Sequence, residues 1–189
     1  SMHKAARYLK KPIENDLPGK VILLAGPRQC GKTTLALSFL APQYETNPAY
    51  LNWDNPAVRP SLRKGQLPGR YPIIIIDEIH KYARWRNLIK GLHDSHKSET
   101  SFIVTGSARL DHYSKGGDSL LGRAWYFRLH PFSLCELNRS PTTSDLNLLL
   151  KFGGFPEPMF KAQEDFHRRW QRERIRRVVY DDLRDLENV

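Results

Sequence analysis

The chain has 189 residues, 40% hydrophobic and 26% charged, which suits one globular core with a small addition. No apolar run approaches the roughly 20 residues of a membrane helix, and two cysteines, Cys30 and Cys135, form neither a disulfide framework nor a metal-ligand spacing, as expected in a reducing cytoplasm. A net charge of +10 points to anionic partners, either nucleotides or nucleic acid.

The opening Ser1-Met2-His3-Lys4 reads as an expression remnant joined to a native start, without a secretory signature. The first predicted strand is VILLA, residues 21–25, followed by a glycine-containing loop and a helix over TTLALSFLA, 33–41. AYLNW, 49–53, is a second strand, closed by DNP. After a basic segment with turn signals comes YPIIIID, a fully buried strand whose apolar run ends on two acids. Trp85, Leu88, Ile89 and Leu92 then recur at helical spacing and form one apolar stripe. SFIVTG and AWYFRL are the fourth and fifth strands. Strands alternating with helices predict an α/β fold: a parallel sheet with helices on both faces.

Beyond Pro131 the pattern turns helical. A helix is expected to start near Ser144 or Asp145 and run through LNLLLKF, with GGFPEP breaking it. A long helix should follow from about Asp165 to the end, with Ile175, Val178, Val179, Leu183 and Leu186 on one face. We therefore expect a core over 1–131 and a helical lid or linker over 132–189. Because its apolar stripe is still running at residue 189, the chain is expected to be truncated. Arg168, Arg169, Arg172, Arg174, Arg176 and Arg177 crowd this last helix, as either a solvated face or a DNA or RNA contact.

GPRQCGKT, 26–33, fits G-x-x-x-x-G-K-[ST] in full and lies between a strand and a helix. Glycine lets backbone N–H groups approach phosphates unobstructed. The candidate nucleotide ligands are Gly26, Pro27, Arg28, Gln29, Cys30, Gly31, Lys32, Thr33 and Thr34. Lys32 is placed to meet the β- and γ-phosphates, Thr33 to offer its hydroxyl to Mg²⁺, and Thr34 to bond a phosphate. Cys30 is read as a space-filler in preference to a redox switch.

In a doubly wound sheet the ligand lies at the carboxyl ends of the strands. Asp77 ends its strand there and is the expected Mg²⁺ carboxylate; Glu78 follows as the base for an attacking water. His80 and Lys81 are read as capping the turn. Thr105 or Ser107, at the tip of the next strand, could hold that water and sense the γ-phosphate. The chain carries no guanine-reading Asn-Lys-x-Asp sequence.

In this order, GPRQCGKTTL, LNWDNP, IIIIDEIHK, IVTGSARL, SLLGRAWYFRLHPFSLCEL and GGFPEP resemble the bacterial and archaeal AAA-type ATPases that pair an AAA_14 domain with a DUF4143 domain. The resemblance runs from about Leu17 to Pro158. It implies a P-loop NTPase sheet of order 5-1-4-3-2, ATP and Mg²⁺ as ligands, a cytoplasmic location, Walker A at Gly26–Thr33, Walker B at Asp77 and Glu78, and a sensor among Thr105 and Ser107. The same resemblance makes Arg123 either an arginine finger toward a neighbouring subunit or a local salt-bridge residue. No sensor-2 arginine is evident near GGFPEP. Two functions follow as expectations: an ATPase whose hydrolysis drives a conformational change, in full-length form as a homo-oligomer, or a nucleotide-gated nucleic-acid-binding module with negligible turnover.

Overall fold

All five predicted strands form one parallel sheet. They are β1 (Val21–Ala25), β2 (Tyr50–Asn52), β3 (Ile73–Asp77), β4 (Ser101–Thr105) and β5 (Ala124–Arg128). The computed structural model describes residues 7–106, 110, 120–137 and 140–182. The strand order is β2-β3-β4-β1-β5, the expected 5-1-4-3-2 read from the other edge. The chain leaves β1 for the edge strand β2, returns through β3 and β4, and adds β5 on the far side of β1. That reversal beside β1 opens a crevice at the carboxyl ends of the strands.

The isoleucine run is core. Ile74, Ile75 and Ile76 are fully buried, as are Ile22, Leu23 and Leu24 in β1 and Ile103 and Val104 in β4. β-branched side chains suit a strand covered on both faces. Around the sheet lie α1 (Lys10–Asp16), α2 (Lys32–Leu37), α3 (Arg59–Arg63) and α4 (Trp85–His96). Trp85, Ile89 and Leu92 of the predicted stripe are buried on α4, and Leu88 is half-buried beside them.

Several boundaries differ from expectation. The helix after the glycine loop stops at Leu37, short of residue 41. Pro42 disfavours helical backbone at Ala41, and the Ser38 hydroxyl donates back to the Leu35 carbonyl at 2.6 Å. α1 and α3 were not foreseen.

The chain divides into two compact units, Ser1–His130 and Pro131–Val189. The second contains α5 (Leu134–Leu137), α6 (Thr143–Phe152), α7 (Pro156–Lys161) and α8 (Glu164–Arg177). α6 begins one or two residues before the expected start. Thr142 caps it reciprocally with Asp145, whose carboxylate accepts from the Thr142 backbone N–H at 2.8 Å. GGFPEP breaks α6 and at once starts α7, because Pro156 occupies a position where a helix needs no N–H donor. A Cβ on Gly154 would stand 2.3 Å from the Phe132 carbonyl oxygen, so this glycine permits a close backbone approach. Aromatic pairs hold the unit: Phe132 edge-on to Phe160, Phe152 to His167, and Phe155 beside Trp170. α8 ends at Arg177 and passes into a π-turn over Val178–Asp182, where an uninterrupted α-helix was expected. Ile175, Val178 and Val179 are exposed on it; Leu183 and Leu186 lie outside the described residues.

Candidate functional site

The candidate site is built from the ends of β1, β3 and β4. After Ala25 the backbone turns on Gly26 at φ +154°, where a Cβ would lie 2.4 Å from the Leu129 carbonyl oxygen and 3.2 Å from Cys30 Sγ. Gln29 and Gly31 also take positive φ, and α2 starts at Lys32. Pro27 and Arg28 are half-buried, whereas Gln29 and Thr34 are exposed. Lys32 is buried, and its ammonium donates to the Pro27 carbonyl at 2.9 Å, so the loop wraps its own cation. Cys30 is fully buried and its thiol meets the Leu129 carbonyl at 3.6 Å. Burial pushes that thiol up, against the opposing pull of Lys32 and Arg7. It is protonated at neutral pH and fills space beneath the loop.

Asp77, at the end of β3, is 3% exposed and gathers hydroxyl groups. Thr33 of the loop donates to its Oδ2 at 2.8 Å, Tyr50 of β2 donates to the same oxygen at 2.7 Å, and Thr105 of β4 donates to Oδ1. These three donors satisfy the oxygens of the buried carboxylate and fix its orientation.

Glu78 comes next, with φ +58° and ψ +19°, a left-handed conformation costly for any residue with a Cβ. The Glu78 N–H donates to the Thr105 carbonyl at 3.1 Å, which ties this bend to β4. Its carboxylate lies 3.4 Å from the Lys81 ammonium and 3.8 Å from His80 Nε2. Lys81 also pairs with Asp54, 2.6 Å away in the loop after β2. Behind it Trp53 stacks on Tyr82 with ring centroids 4.8 Å apart, and Arg63 lies over both rings.

Residues 18–138 match the AAA_14 family, an AAA domain. The chain belongs to this family. A curated relative, an uncharacterized protein of Methanocaldococcus jannaschii, is 21% identical over 211 aligned positions covering 98% of this chain and 47% of that protein. A crystal structure of a DNA polymerase III gamma subunit-related protein from Thermotoga maritima is similar with a TM-score of 0.45 and 14% identity, over 84% of this chain and 54% of that one. The chain spans about half the length of the curated relative it matches.

In this AAA_14 domain Lys32, Thr33, Asp77, Glu78 and Thr105 come together around the carboxyl ends of adjacent strands. Ser107 lies outside the described residues. Arg123 is not brought to them. It precedes β5, at the amino end of the sheet, where its carbonyl accepts from Val21 N–H and its guanidinium pairs with Asp94 of α4 at 2.8 Å. On α8, Arg168 pairs with Asp165, Arg176 with Glu173, and Arg174 lies 3.9 Å over the Phe155 ring.

The donor set can be tested against a metal. Among the described residues no three His, Cys, Asp or Glu side chains cluster as ligands. A single buried carboxylate beside a threonine hydroxyl fits Mg²⁺, which is held by one or two carboxylates, phosphate oxygens and water. It does not fit zinc, which takes three or four side-chain ligands drawn mainly from His and Cys.

Sequence reasoning missed Tyr50 and the Lys81–Asp54 pair. Tyr50 carried no local signal, since its meeting with Asp77 depends on how β2 registers against β3. Asp54 reaches Lys81 across two loops, and no local pattern announces that contact.

Proposed function

We propose that this AAA_14 domain binds ATP with Mg²⁺ in the 26–34 loop and hydrolyses its β–γ phosphoanhydride, coupling hydrolysis to a conformational change. The observation that carries this reading is the Thr33–Asp77 hydrogen bond, which joins the glycine loop to the acidic strand end at 2.8 Å. Backbone N–H groups of Gly26, Arg28, Gln29, Cys30 and Gly31 line the phosphates, with Pro27 shaping the loop between them, Lys32 as their point charge and Thr34 as a further donor. Thr33 and Asp77 would hold Mg²⁺, which would supply positive charge against the phosphates. Glu78 accepts a proton from water as the water oxygen bonds to the γ-phosphorus. The bond from that phosphorus to the β–γ bridging oxygen breaks, and its electron pair leaves with ADP. Thr105 or Ser107 orients the water and registers the γ-phosphate.

Arg123 is proposed to act on the nucleotide of a neighbouring copy in a homo-oligomer. Its place at the amino end of the sheet keeps it from its own site, and its pair with Asp94 fits the other reading, a local salt bridge. Residues 132–189 are proposed as a lid or linker opening a DUF4143-type C-terminal region. A cytoplasmic location is proposed as well; no described helix is long and apolar enough to cross a membrane.

A second reading, a nucleotide-gated nucleic-acid binder, is favoured by the exposure of Arg168, Arg169, Arg172 and Arg177 on α8. Such contacts weaken steeply with salt. Duplex and single-stranded oligonucleotides titrated at low and physiological salt test it, and no binding even at low salt removes it.

The ATP reading is tested by equilibrium binding and steady-state phosphate release. Wild type should bind ATP in a Mg²⁺-dependent manner, and Lys32→Ala should lose that binding. Equal affinity in the two proteins overturns the reading.

A further inference from the structure

Tyr50 stands out because its ring and its hydroxyl do separate things. The register sets Tyr50 beside Ile75 and Asn52 beside Asp77. Strand alternation therefore places Tyr50, Asn52, Ile75 and Asp77 on one face. The diagonal from Tyr50 to Asp77 is on the order of 7 Å, within reach of a tyrosine but of no short hydroxyl side chain. The ring is 9% exposed and packs in the core, a role phenylalanine would fill equally. What phenylalanine lacks is the hydroxyl, which donates to Asp77 Oδ2 at 2.7 Å. Asn52 Nδ2 lies 3.5 Å from the same phenol oxygen and steadies it from behind.

The other two donors to Asp77 have further duties in the proposed site. Thr33 belongs to the phosphate loop and offers its oxygen to the metal, and Thr105 faces the reacting phosphate. Tyr50 belongs to neither group and touches the carboxylate from the edge strand. Its grip on Oδ2 is thus independent of the loop.

We propose that Tyr50 is a positioning residue, which orients Oδ2 of Asp77 to receive a hydrated divalent cation bound with nucleotide phosphates. The proposal rests on the ATP reading above. Partners that orient a metal-binding carboxylate typically change metal affinity by roughly 10-fold or more when lost. A residue that merely packs would change stability and leave metal affinity alone.

The experiment is calorimetric ADP binding by wild type and Tyr50→Phe, first in EDTA and then across a Mg²⁺ titration. We expect equal ADP affinity in EDTA, with a half-saturating Mg²⁺ concentration raised roughly 10-fold in Tyr50→Phe. An unchanged half-saturation, with wild-type ADP binding clearly responsive to Mg²⁺, overturns the Tyr50 proposal alone. A wild type that binds no nucleotide overturns the ATP reading and this one with it. Should Tyr50→Phe fail to fold, 3-fluorotyrosine placed at position 50 keeps both ring and hydroxyl. Its fluorine resonance should move when Mg²⁺ joins the ADP-bound protein and stay fixed when Mg²⁺ is added without nucleotide. A resonance indifferent to Mg²⁺ in both cases also overturns the proposal.

Discussion

The two ends of the sheet treat an aspartate in opposite ways. At the carboxyl end Asp77 is 3% exposed and is held by hydroxyl groups from β2, β4 and the phosphate loop. At the amino end Asp94 is exposed and meets the single guanidinium of Arg123. Surroundings of low polarity make every hydrogen bond to Asp77 matter, because a donor that is lost is not replaced by water. Around Asp94 water and salt stand ready to take the partner's place. The difference separates a site held in one geometry from a surface contact free to be exchanged, as a residue proposed to reach another copy must be.

Glycine substitution should break this contrast most strongly. Gly26→Ala puts a methyl group 2.4 Å from the Leu129 carbonyl at φ +154°. We expect a loss of about 1–3 kcal/mol in urea unfolding, with no remaining ATP binding. Gly122→Ala, at the amino end, also has positive φ, +76°, but meets nothing within 4 Å. It should cost only about 1 kcal/mol and spare nucleotide binding. Equal effects on binding at the two glycines would dissolve the distinction.

Thr105→Val keeps the shape of the side chain and removes a buried donor to Asp77. About 1–2 kcal/mol should be lost in the same unfolding measurement, together with most phosphate release. Unaltered stability would mean that the carboxylate is held by Tyr50 and Thr33 alone.

The two thiols sharpen the contrast between floor and surface. Cys135 is exposed and Cys30 buried with its thiol pushed up, so a thiol reagent should modify Cys135 quickly and Cys30 only on unfolding. Mass spectrometry of the labelled protein assigns the order.

The smallest effect is expected at Arg123. Arg123→Ala should leave the melting temperature at pH 7 nearly unchanged. The Arg123 hydrogen bond holds the Asp94 carboxyl below the usual aspartate range. The pair's contribution is therefore present above the ordinary aspartate value and is lost as pH falls through the lowered one. Melting curves of wild type and Arg123→Ala should converge in strong acid, and any gap between them should lie above that range.

Much of the sheet was legible because its signals are local. An unbroken isoleucine run, a glycine loop between strand and helix, and a carboxylate at a strand end are each contained within about ten residues. Tyr50 was not legible for the opposite reason. Its role depends on which residue of β3 it lies beside, and register emerges only when strands pair. GGFPEP was half legible: glycine announced the break after α6, but Pro156 also begins α7, a position where proline starts helices as readily as it ends them. The end of α2 at Leu37 was hidden because apolar periodicity continues past it, and the turn leading to Pro42 overrides that pattern.

The most direct test of the account is Glu78→Gln, with ATP affinity and phosphate release measured on the same preparation. Glutamine keeps the side chain's length and removes its ability to take a proton. The account predicts near wild-type ATP affinity and phosphate release lowered by about 100-fold or more. Turnover at the wild-type rate, with ATP still bound, would contradict it.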